Sequence, residues 1–196
     1  MGISQSQLLL LSSLAILSAL NTAEADQNSD SGIYVSGSLG QNWIQSGIPE
    51  ESTTILKAAV GWQFNPNIGV ELSYNDFGEF PGPTPVFSNF DLTGVAVAAI
   101  GYLPISESVA LFAKAGQVWW SADSSFFFFG RNSGINQTGT LSFSESDTML
   151  GIGASYELTQ QLELDLEYNY YKFNFSDYPN FTNKNSAIVL SLKREL

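Results

Sequence analysis

The sequence predicts an all-β protein: a closed eight-stranded antiparallel up-and-down transmembrane β-barrel. Three observations carry that prediction. Runs of about 10–15 residues alternate apolar and polar side chains with the period of a strand, and helical periodicity is absent. The connections between these runs alternate strictly between short and long, so every long loop emerges at one end of the assembly. The face opposite the apolar stripe is mostly Gly, Ala, Ser, Asn and Gln, whereas a water-exposed wall is dense in Lys, Glu and Thr. Small side chains suit the bore of an eight-stranded barrel.

In chain order, residues 8–20 form an uncharged apolar stretch too short to cross a bilayer comfortably as a helix. The small-x-small triplet Ala23-Glu24-Ala25 follows it, so residues 1–25 are expected to be a signal peptide cleaved after Ala25. The first seven residues contain no Lys or Arg, unlike the usual leader. Residues 26–196 are then expected to form a single barrel domain. Beyond residue 25 no stretch resembles an apolar spanning helix, so entry into a membrane would be by strands.

Strands are expected at 32–43, 53–64, 68–77, 90–103, 109–121, 147–158, 162–174 and 185–196. The first carries Ser36, Ser38 and Gly40 on its small-residue face. The second is the clearest, with Leu56, Ala58, Val60, Trp62 and Phe64 alternating with Lys57, Ala59, Gly61 and Gln63. In the third, Ile68, Val70, Leu72 and Tyr74 oppose Gly69, Glu71, Ser73 and Asn75. The fourth is ambiguous, because Val95, Ala96, Val97, Ala98 and Ile100 make both faces apolar. The fifth places Lys114 and Gly116 in a run that ends on Trp119 and Trp120. The sixth sets Leu150, Ile152, Ala154 and Tyr156 against Gly151, Gly153 and Ser155. In the seventh, Leu162, Leu164, Leu166, Tyr168 and Tyr170 oppose Glu163, Asp165, Glu167 and Asn169. The eighth keeps Ile188, Leu190 and Leu192 on one face. Asn65-Pro66-Asn67, residues 104–108 and Thr159-Gln160-Gln161 are the short connections, and 44–52, 78–89, 122–146 and 175–184 the long ones.

A soluble calyx also has one apolar face per strand. The placing of Trp43, Trp62, Phe64, Tyr74, Trp119, Tyr156, Tyr168 and Tyr170 near the stripe ends favours lipid, because it matches two interfacial girdles. The charged strand residues then point inward: Lys57, Lys114 and Lys193 against Glu71, Glu163, Asp165 and Glu167. Such charges must be paired, so a packed ion network filling the lumen is expected; a solvated charged strip on the seventh strand is the blander alternative.

Composition excludes much chemistry. No Cys or His is present, which removes disulfides, thiolate and imidazole metal sites and histidine-based triads. Seven basic residues against 19 acidic ones, a net charge of −12, argue against a nucleic-acid partner. Glu163, Asp165 and Glu167 share one face, but a narrow lumen admits no polymer for a paired-carboxylate hydrolase. The acids Glu50, Glu51, Asp76, Glu79, Asp91, Glu145 and Asp147 form no motif with fixed metal-ligand spacing. Neither an enzyme activity, a metal nor a cofactor is expected. The run Phe126-Phe127-Phe128-Phe129 breaks the barrel's alternation and has two readings. It is a contact patch for a host surface, lipid or partner protein, or it lies on protruding strands whose rings cover one another.

The phrases 56–64 with Asn65-Pro66-Asn67, 69–78, Gly101-Tyr102-Leu103-Pro104-Ile105-Ser106, 111–120, 150–156 and 163–171 occur in an order that resembles the transmembrane domain of OmpA-type outer-membrane proteins. The resemblance covers almost all of the chain after residue 25. It implies residence in a Gram-negative outer membrane among lipid and lipopolysaccharide, both termini periplasmic, and insertion by the barrel-assembly machinery. It also implies an internal charge cluster that obstructs conduction, with Glu71, Lys114 and the acids of the seventh strand in comparable places. Two features depart from the family. The peptidoglycan-binding domain of full-length members is expected to be absent, which argues against a cell-wall tether, and the last residues are Lys193-Arg194-Glu195-Leu196 where an aromatic is usual. The expected function is a structural, surface-displaying barrel with extracellular loops for adhesion or partner binding. A narrow porin for small solutes and a soluble periplasmic lipocalin-like binder are the alternatives.

Overall fold

The computed structural model describes residues 32–45, 51–80, 87–129, 136–174 and 182–196; the expected signal peptide lies outside them. Eight strands follow one another: β1 (Gly32–Gln45), β2 (Glu51–Asn65), β3 (Ile68–Phe80), β4 (Phe87–Pro104), β5 (Val109–Phe129), β6 (Asn136–Thr159), β7 (Leu162–Asn174) and β8 (Thr182–Glu195). Each pairs antiparallel with its sequence neighbours, and β1 closes on β8, with Leu39 opposite Leu190 and Tyr34 opposite Glu195. The short turns are held locally. Asn65 Oδ1 accepts from the backbone N–H groups of Asn67 at 2.8 Å and Ile68 at 3.0 Å, an Asx turn.

Alternation sends one face of every strand outward. Leu39, Val60, Leu72, Val97, Leu111, Leu150, Leu166 and Leu190 are all exposed on the wall, and Ile152 reaches 63% exposure. A wall of contiguous apolar side chains is incompatible with water but suits hydrocarbon, and it is the reverse of a soluble calyx, whose oily face points in. Trp62 and Phe64, with ring centroids 4.8 Å apart, mark the short-turn end of the band together with Tyr156. Tyr74, Val95 and Trp119 form a row across β3, β4 and β5 towards the other end. One row further on, the outward face changes character to Asp76, Thr93, Ser121 and Ser144, and then to Glu79, Asp91, Asp123 and Ser142.

The ambiguity of the fourth strand resolves by parity. Val95, Val97 and Leu103 face out, while Leu92, Ala96, Ala98 and Ile100 are buried in the lumen. Leu92, Ala96 and Ala98 belong to an apolar core inside the barrel with Ile55, Phe77, Phe80, Val118, Trp120, Met149, Tyr171, Phe173 and Val189. Its aromatic centre is tightly arranged: Phe77 meets Tyr171 edge-on at 4.9 Å and Phe173 at 5.5 Å, and Trp120 meets Phe173 at 5.2 Å. A bulge in β3 builds this centre. The register shifts between Asp76 and Gly78, Gly78 takes φ 84°, and the freed carbonyl of Phe77 accepts from Thr53 Oγ1 at 2.7 Å and Asn42 Nδ2 at 3.2 Å. A side chain at Gly78 would be strained by that φ and would collide with the Thr53 hydroxyl.

Strands five and six are longer than the sequence pattern indicates, at 21 and 24 residues, and most of the expected loop 122–146 is paired strand. Apolar alternation stops where the wall leaves the apolar band, because Ser121, Asp123, Ser142, Ser144 and Ser146 need no lipid; the backbone pairing continues to Phe129 opposite Asn136. Hydrophobic periodicity therefore stops before the strand does.

Two outcomes follow from this arrangement. Phe173→Ala removes the ring shared by three aromatic contacts and is expected to cost about 3–5 kcal/mol, read from urea unfolding of the barrel in lipid vesicles; a loss below about 1 kcal/mol would show that the centre is not a packed core. Burial first, and then the charges of Glu79, Asp76 and Asp123, hold the Asp91 carboxyl above its ordinary range. A raised acid favours the fold while protonated, so this contribution is present at low pH and lost as pH rises through the folded-state value. Asp91→Asn should therefore raise Tm near pH 7 and leave it unchanged below about pH 3, an effect that a pair of thermal scans would detect.

Candidate functional site

Strand parity turns the charged residues expected in the lumen inward, and the stagger of the closed sheet brings four of them together. Glu71, Lys114 and Glu167 lie on the inward faces of β3, β5 and β7, and Lys57 on that of β2, all with side chains at most 5% exposed. They form a closed square. Lys57 Nζ lies 2.9 Å from Glu71 Oε1 and 3.3 Å from Glu167 Oε1; Lys114 Nζ lies 3.1 Å from Glu71 Oε2 and 2.8 Å from Glu167 Oε2. Two ammonium groups thus bridge two carboxylates, and each buried charge has two opposite neighbours, the condition under which buried ions are tolerated. Tyr34, which the sequence reading did not single out, donates its hydroxyl to Glu71 Oε2 at 3.0 Å. Its ring occupies the space that a side chain at Gly61 would need, so the glycine is what lets the tyrosine reach the square.

The other three expected members do not join the square. Lys193 pairs with Glu163 and lies 4.9 Å from the Tyr34 ring centroid and 5.3 Å from that of Tyr102. Asp165 is 7% exposed and stands opposite Ser155 in the pairing of β6 with β7. Lys193 and Glu163 border a cavity of about 1060 Å³ at the short-turn end, lined among others by Gln63, Tyr102, Ser155, Glu157 and Glu195. On the other side of the square lies the aromatic core. Phe77, Trp120, Tyr171 and Phe173 share the parity of Glu71, Lys114 and Glu167, a signal present in the sequence once those charges are placed inward. The lumen is therefore layered as cup, ion square and apolar core.

The ribbon of β5 and β6 is the second candidate. β5 is covered by β4 as far as the pair Phe87 and Phe126, whereas β6 pairs with β7 only from Met149 onward. Among the described residues the edge of β6 from Asn136 to Thr148 has no strand beside it on that side. The backbone of Phe126, Phe127, Phe128 and Phe129 continues β5 to its end, which places the run on a protruding strand; the side chains lie outside the described residues, so the contact-patch reading is left to its binding consequences. Among the described residues no group of three metal-ligating side chains converges.

Comparison with known proteins agrees with this architecture. The outer membrane protein beta-barrel domain model matches residues 12–193. Outer membrane protein A of Serratia marcescens is 29% identical over 149 residues, which are 74% of this chain and 39% of that protein. The Escherichia coli O157:H7 protein of the same name is 30% identical over 56% of this chain and 30% of its own length. The chain thus spans well under half the length of these curated relatives. Among solved structures, Neisserial surface protein A superposes with TM-score 0.66 at 15% identity, covering 86% of this chain and 100% of that one. The attachment invasion locus protein of Yersinia pestis, in complex with the heparin analogue sucrose octasulfate, does so with TM-score 0.59 at 16% identity and the same coverage. At such identities the likeness is one of fold. With a family model spanning nearly all of the described strands and a closed eight-stranded wall that is oily outside, the chain belongs to the outer-membrane β-barrel domain family, as an OmpA-type barrel.

Proposed function

We propose that this chain is a non-enzymatic, surface-displaying barrel of the outer membrane, with a plugged lumen and an external ribbon that engages a partner. One observation carries the reading: the ion square and the apolar core lie in series across the bore, so among the described residues the feature available for recognition is the β5–β6 ribbon, whose β6 edge has no described strand beside it. An unpaired strand presents a row of N–H and C=O groups to which an extended segment of another protein can add. The β6 edge carries Thr, Ser and Asn with Glu145 and Asp147 near its base, and no Lys or Pro.

The long-connection end faces outward and the termini lie in the periplasm, the usual arrangement of barrels with short periplasmic turns. Lipid and lipopolysaccharide surround the wall, and the barrel-assembly machinery inserts it. The Yersinia relative was solved with a heparin analogue, but here the outward rows above the girdle carry Asp76, Glu79, Asp91 and Asp123. A polyanion would be repelled there, so the ribbon's partner is a protein strand rather than a sulfated glycan.

The test has a lumen arm and a ribbon arm. Wild-type protein in planar bilayers is expected to pass no steady current, and Glu167→Gln, which leaves two lysines against Glu71 alone, should lower stability by about 3 kcal/mol. Steady single-channel steps from the wild type would establish the porin reading instead. Replacing residues 124–141 by a short Gly-Ser turn should preserve heat-modifiable migration in SDS while abolishing adhesion of expressing cells; adhesion that survives the replacement would remove the ribbon from the function.

A further inference from the structure

Beyond the girdle the wall changes sign around its circumference. On β3, β4 and β5 the outward rows carry Asp76, Glu79, Asp91 and Asp123. On β7 and β8 they carry Lys172 and Lys184, which stand directly opposite each other in the pairing of these strands and are both exposed on the outward face. Opposed residues on one face have Cβ atoms about 4.5–5.5 Å apart, so two like charges placed there repel unless an anion lies between them. Among the described residues no carboxylate forms an ion pair with either lysine. Basic residues are scarce, seven against 19 acids. Lys57, Lys114 and Lys193 are buried in the lumen, and Arg194 lies opposite Leu162 at the short-turn end. The two lysines left for the outer rim are therefore side by side. Beneath them the rows pass from interface to hydrocarbon: Tyr170 opposite Ser186, Tyr168 opposite Ile188, Leu166 opposite Leu190. Tyr168 donates its hydroxyl to Ser186 Oγ at 3.0 Å, and Tyr168, Ile188, Leu166 and Leu190 are exposed on the wall.

We propose that Lys172 and Lys184 clamp a phosphate of lipopolysaccharide in the outer leaflet, with an acyl chain of the same molecule lying on Tyr168, Ile188, Leu166 and Leu190. The inference rests on the reading that the long connections face outward, and it names the lipid that the wall holds there. Charge selects the ligand. A phosphate monoester carries a charge of about −1.5 to −2 near neutral pH and so matches two ammonium groups, whereas the phosphodiester of a phospholipid carries a single charge. Each –NH₃⁺ brings three donors to the phosphate oxygens, in charge-assisted bonds that are the short and strong ones. Position selects the level, because the lysines stand one outward row beyond Tyr170, where interfacial aromatics give way to headgroups. The acidic rows of β3, β4 and β5 repel the same phosphates, so the lipid is seated on one side of the barrel.

Titration of lipid A into the full-length barrel, folded in an uncharged detergent near neutral pH with a chelator to remove divalent cations, tests this, with bound lipid counted by native mass spectrometry. Saturation at one lipid per barrel is expected. Lys172→Gln with Lys184→Gln should weaken binding about tenfold, each single variant several-fold, and Lys172→Arg with Lys184→Arg should retain it. The fold of each variant is checked by its heat-dependent migration in SDS. Arg194→Gln removes one positive charge from the opposite end and should leave the Kd unchanged. No saturable binding by the wild type overturns the proposal, as does equal weakening by Arg194→Gln. Undiminished binding of lipid A stripped of its phosphates, or equal competition by phosphatidylglycerol, also overturns it, because the first removes the phosphate and the second its double charge. In detergent the titration is blind to which end of the barrel faces out. Labelling of Asp123→Cys on intact cells by a membrane-impermeant maleimide reports that separately, in a chain with no other cysteine. Labelling without lipid A binding removes the clamp and leaves the orientation standing. Binding without labelling overturns the orientation, and lipopolysaccharide falls with it as the ligand.

Discussion

A wall that stands in hydrocarbon leaves no backbone N–H or C=O without a partner, because no water is there to take it. In this chain the pairing of β1 with β8 meets that requirement, and much of the remaining architecture is its consequence. Once the sheet closes, every side chain in the apolar band points either at lipid or at a bore that eight strands make narrow. Any ionised residue on the inward parity must then find its counter-charge inside the bore. Lys57, Glu71, Lys114 and Glu167 do so in a closed square, each ion touching two of opposite sign.

The square also divides the lumen. Towards the long connections the bore is packed, with Phe77, Trp120, Tyr171 and Phe173 meeting mostly edge-to-face, and Trp120 Nε1 donating to Asp147 Oδ2 at 2.9 Å at its margin. Towards the short turns it is open, acidic and polar. The packed half resists deformation, while the open half is the one a solute reaches. The bulge at Phe77 and Gly78 belongs to the packed half, since it turns the Phe77 ring into the core and lends its carbonyl to β1 and β2.

Membership of the outer-membrane barrel family accounts for the wall and the closure, but relatives with 15–16% identity share little beyond fold. What the wall and its closure leave open lies above the girdle. Two strands there leave the apolar band and continue as a paired ribbon, and the outward rows beside them turn acidic and hydroxylated. Recognition on such a surface depends on main-chain edge and charge sign, both of which vary freely once lipid no longer constrains the outward residue.

The number of strands, their order, the outward face and the inward placing of seven charged residues were all legible in the sequence, because period-two alternation and connection lengths are local properties of the chain. Parity also held the aromatic core, since Phe77 lies six residues beyond Glu71 and Trp120 six beyond Lys114; attention to small residues on that face obscured it. Only the tertiary structure decided which charges meet. Lys57 and Glu167 are 110 residues apart, and their contact depends on the stagger with which the sheet closes, which no single strand encodes. It likewise decided that Lys193 and Glu163 stand apart from the square as a pair of their own. The full length of β5 and β6 was hidden for a related reason: beyond the apolar band each strand is specified by its partner's backbone, and hydrophobic patterning says nothing of a pairing that neither lipid nor lumen requires.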